Sequence, residues 1–422
     1  MMHTGSVPRL AVSLVVALLA LASVACSTPR QDAAPADRLA SGPVDGEPPG
    51  IAGTLVSMGD SYISGTAGRW RGNSNGFTNL PANLSAFQRS DTGSDAYDNY
   101  GLAFPGDECF RSRSAAIHLG GAWESVNVAC SNARTTSRID EEGKFKPGID
   151  NDGQLAVLAD LARSRSVKMV AVSIGANDFR FGPTIKSCVT GFLTSLSAFP
   201  DRCSEDPEST GTVAPGAVTV VRASITKALG DIVTTMRDAG YADESWVLVS
   251  HNYPTPLPPP SAMRYPESGY GRAVSGGCPF YDADLDWFSR WMATVNSTVA
   301  NAARDASVET GKAVVSLDMA ELFNGRRLCE QGTRLVEETR TDAELVSSAE
   351  RVDMIRLTSV LPGSPYNLNE GVHPNHLGQA AIRACLRSAF NDGAARSGTC
   401  AAPTEWGDVD SRNEPAVTFT PR

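Results

Sequence analysis

The chain has 422 residues, 41% of them hydrophobic and 20% charged, with a net charge of -10 at pH 7. The acidic balance argues against a nucleic-acid partner and against strong attraction to anionic lipid head groups. Nine cysteines point the other way from a reducing compartment.

The first 25 residues read as an export signal. Arg9 supplies positive charge, Leu10–Leu21 an apolar core too short to span a bilayer, and Ser23-Val24-Ala25 a small-residue cleavage site. Cys26 follows as in a bacterial lipoprotein, but Ser23 stands where such signals carry Leu. Lipidation of Cys26 and simple secretion are both open, and both place the mature chain outside the cytoplasm. Residues 26–50, rich in Pro, Ala, Gly, Ser and Asp, read as a flexible linker. Residues 51–403 form the folded domain, and the polar stretch 404–422 reads as a loose tail.

Within the domain, Leu55–Met58, Met169–Ile174, Trp246–Val249 and Ala313–Leu317 are short apolar runs of the kind that become buried parallel strands, with Val126–Ala129 as a fifth. Ala217–Ala239 carries Val218, Val221, Ile225, Leu229, Ile232 and Met236 at helical spacing, and Gly240 ends it. Leu285–Ala303 repeats the pattern with Phe288, Met292, Val295 and Val299, and Trp287 and Trp291 widen its core face. Strands alternating with helices predict an α/β fold with a doubly wound parallel sheet, whose ligands bind beyond the carboxyl ends of the strands. Three stretches, 64–108, 179–214 and 319–372, lack periodicity and read as long loops. The first mixes Arg69, Trp70, Asn73, Asn75 and Phe77, a composition suited to sugars or polar head groups, or else to a solvated flap.

Three short motifs carry chemistry. Gly59-Asp60-Ser61-Tyr62 follows the first strand, Gly175-Ala176-Asn177-Asp178 follows Met169–Ile174, and Glu370-Gly371-Val372-His373-Pro374-Asn375 lies near the end of the domain. Each alone reads as a turn. Together they supply a nucleophile (Ser61), a base (His373), a residue to orient the base (Glu370) and an oxyanion donor (Asn177). His251, at the end of the fourth strand, reads as a core histidine bonded to backbone. His373-x-x-His376 lacks a third ligand, so no metal and no cofactor is expected.

In these motifs, their order and their wide spacing, the chain resembles the SGNH or GDSL hydrolases over roughly residues 51–400. It is most similar to secreted actinobacterial esterases and lipases, which share Gly-Asp-Ser-Tyr-x-Ser-Gly and sequentially paired cysteines. The resemblance implies a flavodoxin-like three-layer sheet with long disulfide-tied loops. It implies that Ser61, His373 and Glu370 are catalytic, and that Ser61, Asn132 and Asn177 form the oxyanion hole. It also implies the pairings Cys109–Cys130, Cys188–Cys203, Cys278–Cys329 and Cys385–Cys400, where eight cysteines alone allow 105. Two positions depart from the family. Cys130-Ser131-Asn132-Ala133 has Asn132 where Gly is usual, although Asn tolerates positive φ next best. Glu370 replaces the usual Asp, and in some relatives a backbone carbonyl orients the histidine instead. The expected function is an exported carboxylic ester hydrolase acting on lipid or carbohydrate esters. Its rivals are a polysaccharide deacetylase-type esterase and, from another class, a binding protein with a degenerate site.

Overall fold

In the computed structural model the described residues are 51–75, 108–140, 143–195, 198–360 and 367–422. The expected export signal over 1–25, the linker over 26–50, Cys26 and Phe77 lie outside them.

Seven strands make one sheet: β1 (Gly53–Gly59), β2 (Trp123–Asn127), β3 (Val167–Ser173), β4 (Val247–His251), β5 (Val314–Asp318), β6 (Gly398–Ala401) and β7 (Thr418–Pro421). Their spatial order is β2-β1-β3-β4-β5-β6-β7; all neighbours are parallel except β6 and β7. The first five strands thus have the 2-1-3-4-5 order of a flavodoxin-like sheet, which reverses direction between β1 and β3. The five expected apolar runs all lie in or against these strands. Their register aligns Val126, Val56, Val170, Leu248 and Val314 in one row across the sheet, every member buried.

All residues of β1 are buried, so both faces of the sheet are covered. The main helices are α1 (Gln154–Ser164), α2 (Phe181–Thr194), α3 (Pro215–Asp238), α4 (Asp282–Thr310), α5 (Asp342–Ser348) and α6 (His376–Phe390). The two expected helices are α3 and α4, each a little longer than its apolar pattern. Gly240 (φ 88) and Gly311 (φ 75) close them in the left-handed conformation that glycine adopts without steric cost. The core aromatics behave as expected: Trp291 is buried and stacks with Phe288 at 5.5 Å. Helix α2 occupies part of the stretch 179–214 that looked aperiodic, and α1 carried no expectation.

Residues 404–422 are not a loose tail. Thr418–Pro421 pairs antiparallel with β6, Trp406 is buried against Arg351 at 4.4 Å, and the Glu414 carboxylate receives Arg383 and Arg387 from α6. Without β7 the outer edge of β6 would leave a row of backbone groups unpaired, and Thr418-Phe419-Thr420 is β-prone enough to take them.

Four disulfides join Cys109–Cys130, Cys188–Cys203, Cys278–Cys329 and Cys385–Cys400, the neighbour pairing that the resemblance implied. They span 21, 15, 51 and 15 residues, and such loops contribute ~3–4 kcal/mol each in the chain-entropy model. No helix among the described residues is long and apolar enough to cross a membrane.

Candidate active site

The site sits where β1, β2 and β3 end, at the point where the strand order reverses. β1 stops at Gly59 (φ 119), and a Cβ there would meet the Ser173 carbonyl oxygen at 1.9 Å. Only glycine lets the two strand ends approach this closely. Asp60 then caps a single helical turn, Ser61–Ser64, accepting the Tyr62 N–H at 3.1 Å, and Gly65 (φ 91) ends it. Ser61 therefore occupies the first helical position, where a backbone N–H has no partner within the turn.

His373 arrives from the other end of the chain. Its backbone is stitched to Asp353 by two 2.8 Å bonds, Asp353 N–H to the His373 carbonyl and Val372 N–H to the Asp353 carbonyl. Val372 is held at φ 64, a costly conformation for a β-branched residue. The Tyr62 hydroxyl donates to the Val372 carbonyl at 3.2 Å. The imidazole so placed has Nε2 at 2.7 Å from Ser61 Oγ and Nδ1 at 3.0 Å from the Gly371 carbonyl oxygen. A carbonyl only accepts, so Nδ1 carries the proton and the Nε2 lone pair faces the serine hydroxyl. Burial pushes the His373 pKa down to about 4; the Gly371 hydrogen bond and the charge of Glu370 oppose that shift without cancelling it.

Glu370 does not hold the ring. Its fully buried carboxylate takes Arg69 through two bonds, Nε–Oε1 at 2.6 Å and Nη2–Oε2 at 3.0 Å, and accepts the Asn367 N–H at 2.9 Å. Arg69 in turn lies over Trp70 at 4.6 Å. Arg69 and the Asn367 N–H tie this carboxylate to the turn 367–370, and the next residue's carbonyl meets the histidine. The expected contact of Glu370 with the imidazole is thus corrected: the group beside Nδ1 is the Gly371 carbonyl, which no side-chain pattern announces.

The oxyanion candidates fall on the adjoining loops. The Cys130 N–H bonds to the Gly59 carbonyl at 3.0 Å, which brings Asn132 beside the nucleophile turn. Asn132 has φ 66, the region for which glycine or asparagine is preferred. The backbone amides of Ser61 and Asn132 have no hydrogen-bond partner among the described residues. Gly175 (φ 122) turns the chain after β3, and Asn177 Nδ2 donates one hydrogen to the Ala133 carbonyl at 3.0 Å, leaving its second available. Asp178 fastens this turn to the Asn132 loop by accepting the Thr135 hydroxyl at 2.7 Å and its N–H at 3.2 Å; burial raises the Asp178 pKa.

Other candidates resolve into structural parts. His251 is buried with Nδ1 against the Asn252 carbonyl at 3.0 Å, and burial lowers its pKa to about 4. His376 opens α6, its N–H bonded to the Trp70 carbonyl. Arg69, Trp70 and Asn73 do not form a sugar-binding surface. Trp70 and Asn73 are fully buried, and Asn73 bonds to Glu350, to the Val352 carbonyl at 2.8 Å and to the Met354 N–H at 2.9 Å. Sequence reasoning held a backbone carbonyl open as the alternative to Glu370 without naming Gly371, and it missed Arg69 as the partner of Glu370 and Tyr253, whose hydroxyl reaches Asp60 at 2.6 Å.

No family model and no curated protein matches the chain. Among solved structures, it is similar to an extracellular lipase from Streptomyces rimosus, with 19% identity over 80% of this chain and 100% of the lipase, at a TM-score of 0.39. Two structures of a family two carbohydrate esterase from Clostridium thermocellum, one an active-site mutant and the other in complex with cellohexaose, match at 11% and 10% identity. They cover 82% of this chain and 65% and 66% of the esterase, with TM-scores of 0.33 and 0.32. Likenesses this distant leave the functional conclusion to the geometry of the site.

Proposed function

We propose that the protein is an exported serine carboxylic ester hydrolase of the SGNH or GDSL type. The observation that carries this reading is the 2.7 Å contact between Ser61 Oγ and His373 Nε2, with Nδ1 committed to the Gly371 carbonyl. Ser61 Oγ attacks the ester carbonyl carbon while its proton passes to Nε2. The carbonyl oxygen, now charged, is met by the N–H groups of Ser61 and Asn132 and by Asn177 Nδ2. The tetrahedral centre collapses, the C–O bond to the leaving alcohol breaks, and Nε2–H protonates that oxygen. Water, losing a proton to Nε2, then attacks the acyl carbon; the bond from that carbon to Ser61 Oγ breaks, Nε2–H returns its proton to Oγ, and the acid is released.

The acyl class, lipid or carbohydrate, follows from a panel of p-nitrophenyl esters running from acetate to palmitate. The four disulfides support an oxidising compartment. The mass of the mature N-terminus separates a Cys26 lipid anchor from free secretion. The decisive test of the class is covalent labelling by a fluorophosphonate. The expected result is stoichiometric labelling of the wild type and none of Ser61→Ala. A folded wild type that neither labels nor turns over any ester defeats the proposal in favour of a binding protein.

A further inference from the structure

Tyr253 follows β4, two strands away from β1, yet its buried hydroxyl bridges both functional turns. It donates to Asp60 Oδ2 at 2.6 Å and accepts the Ala176 N–H at 3.1 Å. Asp60 is the cap that sets the Ser61 turn, and Ala176 immediately precedes Asn177. One phenolic oxygen therefore joins the turn that carries the nucleophile to the turn that carries the side-chain oxyanion donor. The tyrosine is itself fixed from behind. Asn296, midway along α4, accepts the Tyr253 N–H at 3.0 Å and donates to its carbonyl at 2.8 Å. Tyr62 meets its ring edge-on at 5.1 Å. The strand ends are also joined by the Asp60 N–H to the Ser173 carbonyl at 2.8 Å, but Tyr253 is the tie that reaches past them to the Asp60 side chain and to Ala176. Because rate depends on donor and nucleophile being held to fractions of an ångström, such a tie has a catalytic consequence that a core contact does not.

We propose that Tyr253 is a positioning residue for ester hydrolysis, setting the distance between Ser61 and the Asn177 oxyanion donor through its bonds to Asp60 and Ala176. The inference rests on the serine-hydrolase reading above. The short contact to a buried carboxylate is a charge-assisted bond, the strong kind. Burial pushes the Asp60 pKa up to about 7, and the Tyr253 and Tyr62 donors oppose it. Losing the hydroxyl leaves a buried carboxylate and a buried amide each short of one partner, and loosens the two turns relative to each other.

The test is Tyr253→Phe, alone and with Asn177→Ala, assayed with a p-nitrophenyl ester beside wild type and Ser61→Ala. The expected result is a kcat lowered by ~10-fold or more with KM within about twofold, because the loss falls on the transition state. In the Asn177→Ala background the same change should cost at least ~3-fold less, since the donor it positions is gone. A merely structural tyrosine would lower thermal stability and leave kcat per folded molecule unchanged; that outcome, or losses that simply multiply in the double variant, overturns the proposal. If Tyr253→Phe does not fold, Asp60→Ala removes the same contact from its other end, and a wild-type kcat there overturns it equally. A wild type without turnover or labelling defeats the esterase reading instead, so the two failures are distinct.

Discussion

Replacing Glu370 by Gln separates a carboxylate triad from a dyad oriented by backbone. The substitution keeps shape but removes the charge that faces Arg69 through bonds of 2.6 and 3.0 Å. Breaking a buried ion pair costs ~3–5 kcal/mol. Arg69 keeps 17% of its side chain exposed, so water recovers part of the loss and ~2–3 kcal/mol is expected here. For a domain of this size that lowers Tm by about 3–4 °C. Turnover should suffer far less, because the 3.0 Å bond from His373 Nδ1 to the Gly371 carbonyl is untouched. We expect kcat to fall by less than ~10-fold, against ~10⁴ when a true triad carboxylate becomes an amide. The acid limb of kcat/KM should also move slightly lower, since the charge of Glu370 raises the His373 pKa. The assay is p-nitrophenyl ester turnover at a temperature where the variant is fully folded, with Tm measured in parallel. A kcat loss of three orders of magnitude or more in folded protein would refute the reasoning and return Glu370 to the ring.

The acid limb of kcat/KM should lie near pH 4, well below the ~6.5 of a free imidazole, because burial keeps His373 neutral down to about 4; a pH–rate profile with its limb at 6.5 or above contradicts the buried geometry. Between ~6.5 and about 4 the unfolded chain binds protons that buried His251 and His373 refuse, so their contribution to stability is lost as pH drops through that window, whereas buried Asp60, raised to about 7, contributes in the opposite sense; His373→Gln should therefore make Tm fall less steeply with decreasing pH than in wild type, and an unchanged slope contradicts the buried neutral imidazole. Asn132→Gly should keep kcat within ~3-fold, since glycine suits φ 66 and supplies the same backbone N–H, whereas Asn132→Val should lose activity and about 1–2 kcal/mol of stability. Equal activity in the two Asn132 variants would mean that the left-handed conformation there does not matter.

The parts of this molecule that were legible in its sequence are those whose signal is local. β1, β3, β4 and β5 announce themselves as apolar runs because strands covered on both faces need side chains of one kind. Ser61, Asn177 and His373 stand in motifs because each sits at a turn with its own stereochemical demand. Other features depend on pairings that sequence spacing does not encode. Arg69 and Glu370 lie 301 residues apart, and nothing near either one names the other. β6 and β7 are four residues each, too short for a periodicity to register. Helix α2 is missed although Phe181, Ile185, Val189 and Phe192 recur at helical spacing, because Gly182, Pro183 and Gly191 read as breaks in it. The loose tail was misread because Glu414 looks like any acidic surface residue until Arg383 and Arg387 converge on it.

The choice of a carbonyl over a carboxylate beside His373 has a chemical consequence. A carboxylate next to the ring would stabilise the imidazolium and raise its pKa; a carbonyl dipole does so only weakly, and burial prevails. The base is then weaker, so each proton it takes from Ser61 costs more, but it stays unprotonated in acid. The orienter also cannot itself be protonated, so its contact survives any acidity that the fold survives. The geometry is instead secured covalently through the chain: Gly371 and His373 are two residues apart, Val372 between them is held at φ 64, and Asp353, Tyr62 and the Arg69–Glu370 pair fix that strained link from three sides. Strain at Val372 and charge at Glu370 thus serve the same bond, and the acid limit of the proposed activity should be set by unfolding and by His373 together, not by loss of the orienting group.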